Sequence, residues 1–134
     1  MSAPSPPTEL RVVLTVEDFD QALAFYRDAL GLAELAVWDA PGDARVVLLD
    51  GGRATLELVN DAQAAAIDEA EVGRRVAGPV RLALEVGDSD AVSRHLVAHG
   101  AEALAEPVTT PWNDRNVRLT APDGMQLTLF MTPD

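Results

Sequence analysis

The sequence predicts an α+β protein made of two βαβββ modules, which form a curved, eight-stranded mixed sheet around a cavity. Two observations support this fold class. The stretch RVVLTVEDFD, which begins at Arg11, is matched without a gap by RLALEVGDSD, which begins at Arg81. Each copy is followed by a helical pattern and then by three strand patterns, so the chain repeats one structural unit. Because one module has a single helix to cover its sheet, two modules are expected to pair face to face and so to cover the face that is left bare.

The first module, at about residues 9–60, begins with the alternating strand LRVVLTV. A helix follows in DFDQALAFYRDALG, with Asp18 as its N-cap and Gly31 at its C-terminal end. Strands AELAVWD, ARVVLLD and ATLELVN complete the module, and the turn DGGR joins the last two. The helical stripe that is expected to pack on the sheet consists of Ala22, Phe25, Tyr26, Ala29 and Leu30.

The second module, at about residues 80–131, repeats this order. The strand VRLALEV precedes the helix DSDAVSRHLVAHG, which ends at Gly100, and EALAEPV, NVRLTA and MQLTLFM are the later strands. Residues 61–79 are polar and alanine-rich, which indicates a linker with partial helical character. Residues 1–8 are predicted to form a flexible tail, and residues 9–132 to be one domain. Pairing of the modules within one chain and exchange between two chains both fit this pattern.

The composition limits the partners of the protein. There are 22 acidic and 10 basic residues, every basic residue is arginine, and the net charge is −12. Such a field repels nucleic acid and anionic membrane surfaces, so neither is expected as a partner. The start MSAPSPPTE lacks the features of a signal peptide, no apolar run reaches membrane-spanning length, and there is no cysteine. These features predict a cytoplasmic protein.

Period-two alternation predicts which strand residues face the cavity. In the first strand of each module, Arg11, Thr15 and Arg81 point away from the helix. In the closing strands, Glu57 and Thr128 do the same. Arg11 is therefore expected beside Glu57, and Arg81 beside Thr128. The two arginines either contact a ligand or have a structural role: in that alternative Arg11 and Glu57 neutralise each other across neighbouring strands, and Arg81 is paired with Glu85 or solvated.

Further polar and aromatic residues are candidates for the cavity. Arg118 alternates with apolar residues in NVRLTA, and Trp112 lies in the loop TTPWNDR, which leads to the cavity edge. Trp38 lies in the strand AELAVWD. Aromatic side chains at the mouth of a pocket stack on planar or cationic ligands, so Trp38 and Trp112 are predicted to contact a ligand.

Three segments resemble the vicinal oxygen chelate superfamily, which includes lactoylglutathione lyases, extradiol dioxygenases, and fosfomycin- and bleomycin-resistance proteins. They are VEDFDQALAFYRDALGL, ATLELVN and PDGMQLTLF, and the resemblance extends over about residues 9–131. In enzymes of that superfamily a divalent metal is held by residues of the first and last strand of each module. The resemblance places this ligand set at Arg11, Glu57, Arg81 and Thr128.

The residues at these four positions predict that the chain belongs to a metal-free branch. Only Glu57 is an effective metal ligand, because arginine has donors but no acceptor lone pair, and two guanidinium charges repel a cation. His95 and His99 are four residues apart on the second helix, but no third ligand is near them in sequence. No metal ligand and no cofactor are therefore predicted.

The resemblance and the missing metal ligands favour a metal-independent binding protein of the bleomycin-resistance type. Such a protein sequesters a small organic ligand and has no catalytic residue. The acidic field favours a cationic ligand, whereas the two arginines fit a carboxylate equally well. The predicted ligand contacts are Arg11, Thr15, Trp38, Glu57, Arg81, Trp112, Arg118 and Thr128.

The alternative is a metal-independent enzyme of the lyase or isomerase type. In that case Glu57 acts as the general base, and Arg11 and Arg81 stabilise an enolate or another oxyanion. A purely structural or regulatory role also remains open, since fold alone does not determine function. A homodimer is expected in all three cases, because a curved sheet with apolar edges favours symmetric association.

Overall fold

The computed structural model describes residues 4–133, which form three α-helices and an open mixed sheet of nine strands. The predicted α+β fold is confirmed, with nine strands rather than eight because EALAEPV forms two short strands. In chain order the elements are β1 (Glu9–Thr15), α1 (Phe19–Leu23), a π-helical segment (Ala24–Ala29), β2 (Glu34–Ala40), β3 (Ala44–Asp50), β4 (Thr55–Val59), α2 (Asp61–Glu71), β5 (Val80–Glu85), α3 (Ser89–Ala98), β6 (Glu102–Ala103), β7 (Val108–Thr109), β8 (Arg115–Thr120) and β9 (Gln126–Met131).

The two modules join side by side into one sheet. The strand order is β2-β3-β4-β1-β5-β9-β8-β6, and β7 also pairs with β8. The joint is the antiparallel pair β1 and β5, in which Arg11 lies opposite Ala83 and Val13 lies opposite Arg81. Within each module the first strand runs parallel to the last, as β1 with β4 and β5 with β9. The expected face-to-face pairing of modules is therefore replaced by edge-to-edge pairing within the chain.

The repeated aspartates have structural roles at the start of each helix. Asp18 accepts a hydrogen bond from the backbone N–H of Gln21 at 2.9 Å, and Asp88 accepts one from Ala91 at 3.0 Å. Both are N-caps, as predicted for Asp18. The second aspartate of each copy forms an ion pair with an arginine of the sheet, which ties the helix to the strands. These pairs are Asp20–Arg45 and Asp90–Arg115, at 2.8 and 3.0 Å.

The helix of the first module packs differently from the prediction. Phe25 and Leu30, which were expected to face the sheet, are 61% and 60% exposed. The residues that pack on the outer side of the sheet are instead Phe19 and Leu23, with Tyr26 partly buried against them. Phe25 lies six residues after Phe19, which is off the stripe that Phe19, Leu23 and Tyr26 form. A regular α-helix would return Leu30 to that stripe, but the π-helical segment before it changes the helical register.

The π-helical segment accommodates one additional residue in the first module. Gly31 follows the cap Asp18 by thirteen positions, whereas Gly100 follows Asp88 by twelve. An extra residue inserted into an α-helix widens one turn locally to π-geometry, while the rest of the helix keeps its position. The two modules therefore keep equivalent helix starts and ends in spite of the difference in length.

Helix α2 is the main departure from the expected architecture. The face of the sheet that carries Arg11 and Arg81, called here the inner face, was predicted to line an open cavity. Residues 61–71 of the predicted linker instead form an eleven-residue helix that packs on this face. Ala64 and Ile67 are buried in one apolar cluster with Val13, Val46, Val59, Ala83 and Phe130. The predicted cavity is therefore filled by the chain itself over much of its area.

Helices α1 and α3 cover the opposite, outer face of the sheet, each beside its own module. None of the helices within residues 4–133 combines the length and the apolar character that crossing a bilayer requires.

Candidate functional site

Charged side chains of both modules and of α2 converge on the inner face. This set, called here the charged cluster, contains as many arginines as carboxylates, and most of its members are buried. Its members are Arg11, Arg75, Arg81 and Arg118 with Glu9, Glu57, Asp68 and Glu71. A buried charge needs a partner of opposite sign, so the equal numbers make the cluster electrically balanced.

Arg11 lies at the accessible end of the charged cluster, with 23% of its side chain exposed. Its Nη1 is 3.6 Å from Oε1 of Glu57, the partner that the alternation of β1 and β4 predicts. A closer partner is Glu9, whose carboxylate accepts from Nε at 3.0 Å and from Nη2 at 3.1 Å. The guanidinium also lies over the ring of Phe130, 4.6 Å from its centroid. Arg11 therefore separates Glu57 from solvent.

Glu57 is the buried carboxylate between the arginines of the two modules. It is 8% exposed, and burial raises its pKa above the ordinary value. The positive charges of Arg81 and Arg11 oppose this rise without cancelling it, and the negative charge of Glu71 adds to it. A carboxyl group with a raised pKa accepts and returns a proton nearer to neutral pH than an exposed one does.

Arg81 is buried beside Glu57 and contacts the residue that the sequence predicts. Its Nη1 donates to Oγ1 of Thr128 at 2.9 Å, and the residue is 6% exposed. Burial lowers the pKa of Arg81, while the carboxylates of Glu57 and Glu71 oppose that change. The alternative partner, Glu85, instead accepts a hydrogen bond from Thr8 at 2.9 Å. Arg81 thus lies between two buried carboxylates.

Arg118 faces the inner side, as its alternation in β8 predicts, and it is fully buried. Two carboxylates from α2 neutralise it: Nη1 is 2.9 Å from Oδ1 of Asp68, and Nε is 3.1 Å from Oε1 of Glu71. Asn116 donates to the other oxygen of Glu71 at 2.8 Å. Arg118 therefore holds α2 against the sheet. A direct contact between Arg118 and a ligand stays a prediction.

Asp68 has further partners that fix the end of α2. Its Oδ2 accepts from the backbone N–H groups of Val76 and Ala77 at 2.8 and 2.9 Å, and from Arg75 at 2.9 Å. Burial raises the pKa of Asp68, but the hydrogen bonds from Ala77, Val76, Arg75 and Arg118 outweigh burial and hold the pKa below its ordinary value. Asp68 is thus an ionised carboxylate whose charge is stabilised from several directions.

Sequence reasoning missed Asp68 and Glu71, although a signal for them exists. Together with Ala64 and Ile67 they follow the spacing of one helical face, at intervals of three and four residues. This face combines two apolar and two acidic side chains, and acidic residues in a polar linker are usually solvated. Only the arginines of the facing strands make their burial favourable.

Within residues 4–133, the other predicted ligand contacts make no hydrogen bond or ion pair with the charged cluster. Trp38 is 51% exposed on β2, at the edge of the sheet and three strands away from β1. Thr15 is half-buried at the end of β1, where its N–H donates to the carbonyl of Pro79. Trp112 is 45% exposed in the turn before β8. The structure therefore brings Arg11, Glu57, Arg81, Arg118 and Thr128 together, but not these three.

Asp114 is a second carboxyl group near Arg11 that sequence reasoning did not select. It is half-buried directly before β8, and burial raises its pKa above the ordinary value. Hydrogen bonding with Thr132, the charge of Arg11 and the ring N–H of Trp112 oppose this rise. In the sheet order, Glu57 on β4 and Asp114 before β8 lie on opposite sides of β1. The charge of Arg11 thus acts on two carboxyl groups with raised pKa values.

The residues at the predicted metal position do not fit a divalent cation. Arg11 and Arg81 occupy two of the four strand positions and present only donors there, and Thr128 is already an acceptor for Arg81. Within residues 4–133 no three His, Cys, Asp or Glu side chains are grouped in a way that could hold a metal ion. The acidic residues of the charged cluster are instead paired with arginines.

Two surface clefts, of about 600 and 490 Å³, lie around α3 rather than at the charged cluster. The larger one lies beside the Asp90–Arg115 pair and the smaller one beside Val97. Both are open to solvent and neither contains a residue of the charged cluster. The chemistry of the buried charges, rather than the size of a cleft, therefore identifies the candidate site.

Comparisons with known proteins agree with the fold. The chain is 36% identical to a 2-epi-5-epi-valiolone epimerase of Actinomyces sp. over 91% of its own length and 78% of the relative. A methylmalonyl-CoA epimerase from Mycobacterium tuberculosis has 26% identity and a TM-score of 0.67, with 100% of this chain and 94% of that chain covered. A Streptomyces coelicolor methylmalonyl-CoA epimerase variant has 21% identity and a TM-score of 0.63, with 98% and 100% covered.

These relatives are epimerases, so they favour the enzymatic interpretation over sequestration of a ligand and do not support antibiotic resistance. Residues 10–129 match the Glyoxalase/Bleomycin resistance protein/Dioxygenase superfamily. The match covers most of the chain and agrees with its duplicated βαβββ architecture, and the chain therefore belongs to this superfamily.

Proposed function

We propose that the protein is a metal-independent isomerase of the epimerase type that acts on a small carbonyl compound. In this proposal Glu57 carries the proton, and Arg11 and Arg81 stabilise the anion that forms. The observation that carries it is the position of Glu57, a buried carboxyl group with a raised pKa between two guanidinium groups. The similarity to an epimerase supports the same reaction class.

The chemistry follows from the acidity of a carbon atom next to a carbonyl group. The carboxylate of Glu57 removes the proton from that carbon, and the electron pair of the C–H bond moves to the carbonyl oxygen to form an enolate. A proton returned to the opposite face of the carbon inverts the stereocentre, and the electron pair moves back. No redox partner is needed, and the substrate and product have the same composition.

The arginines contribute by balancing charge during this step. Before the reaction the negative charge is on Glu57, and Arg11 and Arg81 are the positive charges that act on it most strongly. When Glu57 takes the proton, the charge moves to the enolate oxygen, and the same two guanidinium groups then face the enolate. Preorganised donors in a site shielded from water are especially effective at such stabilisation.

Asp114 is the second carboxyl group in the proposal. Inversion requires a proton on the face opposite to the one that Glu57 serves, and this role is assigned to Asp114, which lies beyond β1, β5 and β9 from Glu57 in the strand order and responds to the charge of Arg11. The raised pKa of Asp114 suits proton donation at a higher pH than an ordinary aspartate allows. Its half-buried position beside Trp112 leaves it reachable from the end of the sheet where Arg11 is exposed.

The test is exchange of solvent deuterium into a carbonyl substrate, followed by nuclear magnetic resonance. The first compounds are 2-epi-5-epi-valiolone and methylmalonyl-CoA, because epimerases named for them are similar to this chain. The wild-type protein should catalyse exchange with at least one compound, and Glu57→Gln should reduce the rate by about 10²-fold or more. Glu17→Gln, an exposed charge-matched control, should retain full activity. Absence of exchange with both compounds, or full activity of Glu57→Gln, would refute the proposal.

A homodimer formed through the β2 edge is part of the same proposal. One side of β2 has no neighbouring strand within residues 4–133, so its backbone donors and acceptors are free to pair. Three large exposed apolar side chains lie on β2 itself, Leu35, Val37 and Trp38, and two more, Phe25 and Leu30, lie on the helical segment that precedes it. An exposed apolar edge of this kind favours pairing with a second copy.

A further inference from the structure

The guanidinium of Arg11 is already occupied along the edge that normally binds a carboxylate. Nε and Nη2 donate to the two oxygens of Glu9 in a bidentate arrangement, at 3.0 and 3.1 Å. Thr55 donates to the same carboxylate at 2.6 Å. Burial raises the pKa of Glu9, but the hydrogen bonds from Arg11 and Thr55 outweigh it, so this pKa lies below its ordinary value. Glu9 is therefore an ionised carboxylate in a site with three donors.

We propose that Glu9 determines the substrate class of the site: its carboxylate fills the anion-binding edge of Arg11, so that the site accepts uncharged polar carbonyl compounds and rejects anionic ones. This inference rests on the proposed function and adds a charge requirement to it. The remaining surroundings of Arg11 agree with it. Nη1 is directed towards Glu57, and one face of the guanidinium lies on Phe130.

The charge balance of the cluster leads to the same conclusion. Four arginines face four carboxylates, so the cluster has no excess positive charge for an anion. Proton transfer from an uncharged substrate to Glu57 only moves one negative charge from the carboxylate to the enolate. A substrate with its own carboxylate adds a second negative charge that nothing compensates, and such a charge is unfavourable away from water.

The outer surface extends this selectivity to larger anions. A coenzyme A ester carries several phosphate charges and needs basic residues near the site entrance. The chain has no lysine, and its net charge is −12. Several of its surface arginines are paired with carboxylates: Arg27 with Asp28 and Glu34, Arg45 with Asp20, and Arg115 with Asp90. The field of the protein therefore repels a polyphosphorylated substrate.

The test measures binding of malonate to wild type and to Glu9→Gln by titration calorimetry at neutral pH. Malonate is a small dicarboxylate, and its binding is read without any turnover. We expect no measurable binding to wild type up to the detection limit, and binding to Glu9→Gln at least about tenfold tighter than that limit, because a charge-assisted hydrogen bond to Arg11 becomes available. Glu17→Gln removes the same charge at an exposed position and should behave like wild type.

Two further variants make the result specific. Glu9→Ala is measured in parallel, so that a folding defect of one variant leaves the other informative. Adding Arg11→Gln to Glu9→Gln should abolish the gain, since the anion loses its donors. Binding of malonate by wild type, or no gain in either Glu9 variant, would overturn the inference. Lack of deuterium exchange in every variant would instead refute the proposed reaction while leaving the anion result interpretable.

Discussion

Replacement of Asp68 by asparagine is the sharpest test of how the inner face is organised. The carboxylate of Asp68 accepts hydrogen bonds from the backbone of Val76 and Ala77 and contacts Arg75 and Arg118 within 2.9 Å. Asparagine has the same shape but one acceptor oxygen, and its NH₂ group must face donors. The substitution Asp68→Asn therefore removes the negative charge that is paired with Arg118, and the single remaining oxygen can serve either Arg118 or the N–H groups of Val76 and Ala77, but not both.

The magnitude follows from the burial of both partners. Asp68 and Arg118 are each 0% exposed, so water does not replace the lost partner. Removal of one member of a buried ion pair destabilises a protein by about 3–5 kcal/mol. We expect Asp68→Asn to lower the free energy of unfolding by about this amount. This is a large part of the roughly 5–15 kcal/mol that stabilises a typical domain.

The assay is urea unfolding followed by circular dichroism at neutral pH, with Asp61→Asn as the matched control. Asp61 lies on the same helix, with 73% of its side chain exposed, and contacts Arg75 at 3.7 Å. Loss of such an exposed pair changes stability by at most about 0.5 kcal/mol. Equal, small effects of the two substitutions would show that α2 does not bury Asp68 against the sheet.

The pH dependence of stability supplies an independent check. Because the pKa of Asp68 in the folded protein lies below 3.8, its contribution is fully present above that pH. As the pH falls, the Asp68 side chain takes up a proton in the unfolded chain at a higher pH than in the folded protein. The contribution of Asp68 to stability is therefore lost as the pH falls from about 3.8 through the lower pKa of the folded protein. Wild type should therefore lose stability in acid below about pH 3.8, and Asp68→Asn should lose less over the same interval. Parallel acid profiles of the two proteins would contradict this assignment.

Three further predictions concern the arginines, metal and assembly. Arg11→Met should lower the free energy of unfolding in urea by about 1–3 kcal/mol, because Glu9 and Glu57 lose their shared partner. The double variant Arg11→Met/Glu57→Gln should recover part of this loss, and no recovery would argue against the pairing of Arg11 with Glu57. Elemental analysis should find no stoichiometric transition metal, and added zinc or nickel should not raise the melting temperature; one bound equivalent would contradict this. Val37→Lys should convert a dimer into a monomer in light scattering, whereas Val97→Lys on α3 should not; a wild-type monomer would refute dimerisation.

Much of the inner face could be predicted from local patterns. The repeat identifies two equivalent modules, and period-two alternation places Arg11, Glu57, Arg81 and Thr128 on one side of the sheet, as observed. These predictions succeed because the two faces of a strand alternate regardless of what lies above them. The contact between Arg81 and Thr128 follows directly from this geometry.

The position of α2 could not be predicted in the same way. Asp68 and Glu71 are buried only because Arg118 and Asn116 face them from β8, at a distance of about fifty residues in sequence. Pairwise contacts over such separations leave no local pattern. Glu9 was missed for a different reason: alternation places it on the same face as Arg11, two residues before it, but the predicted strand begins at Leu10 and leaves Glu9 out.

The antiparallel joint of β1 and β5 makes the two-module chain equivalent to a fused dimer. Arg11 faces Ala83 across the joint and Val13 faces Arg81, and in the repeat Arg81 corresponds to Arg11 and Ala83 to Val13. The joint therefore has twofold symmetry at the level of individual residues. A single module, expressed as a separate polypeptide, presents in β1 an edge that is complementary to its own copy. Covalent linkage through α2 converts that association from a concentration-dependent event into an intramolecular one.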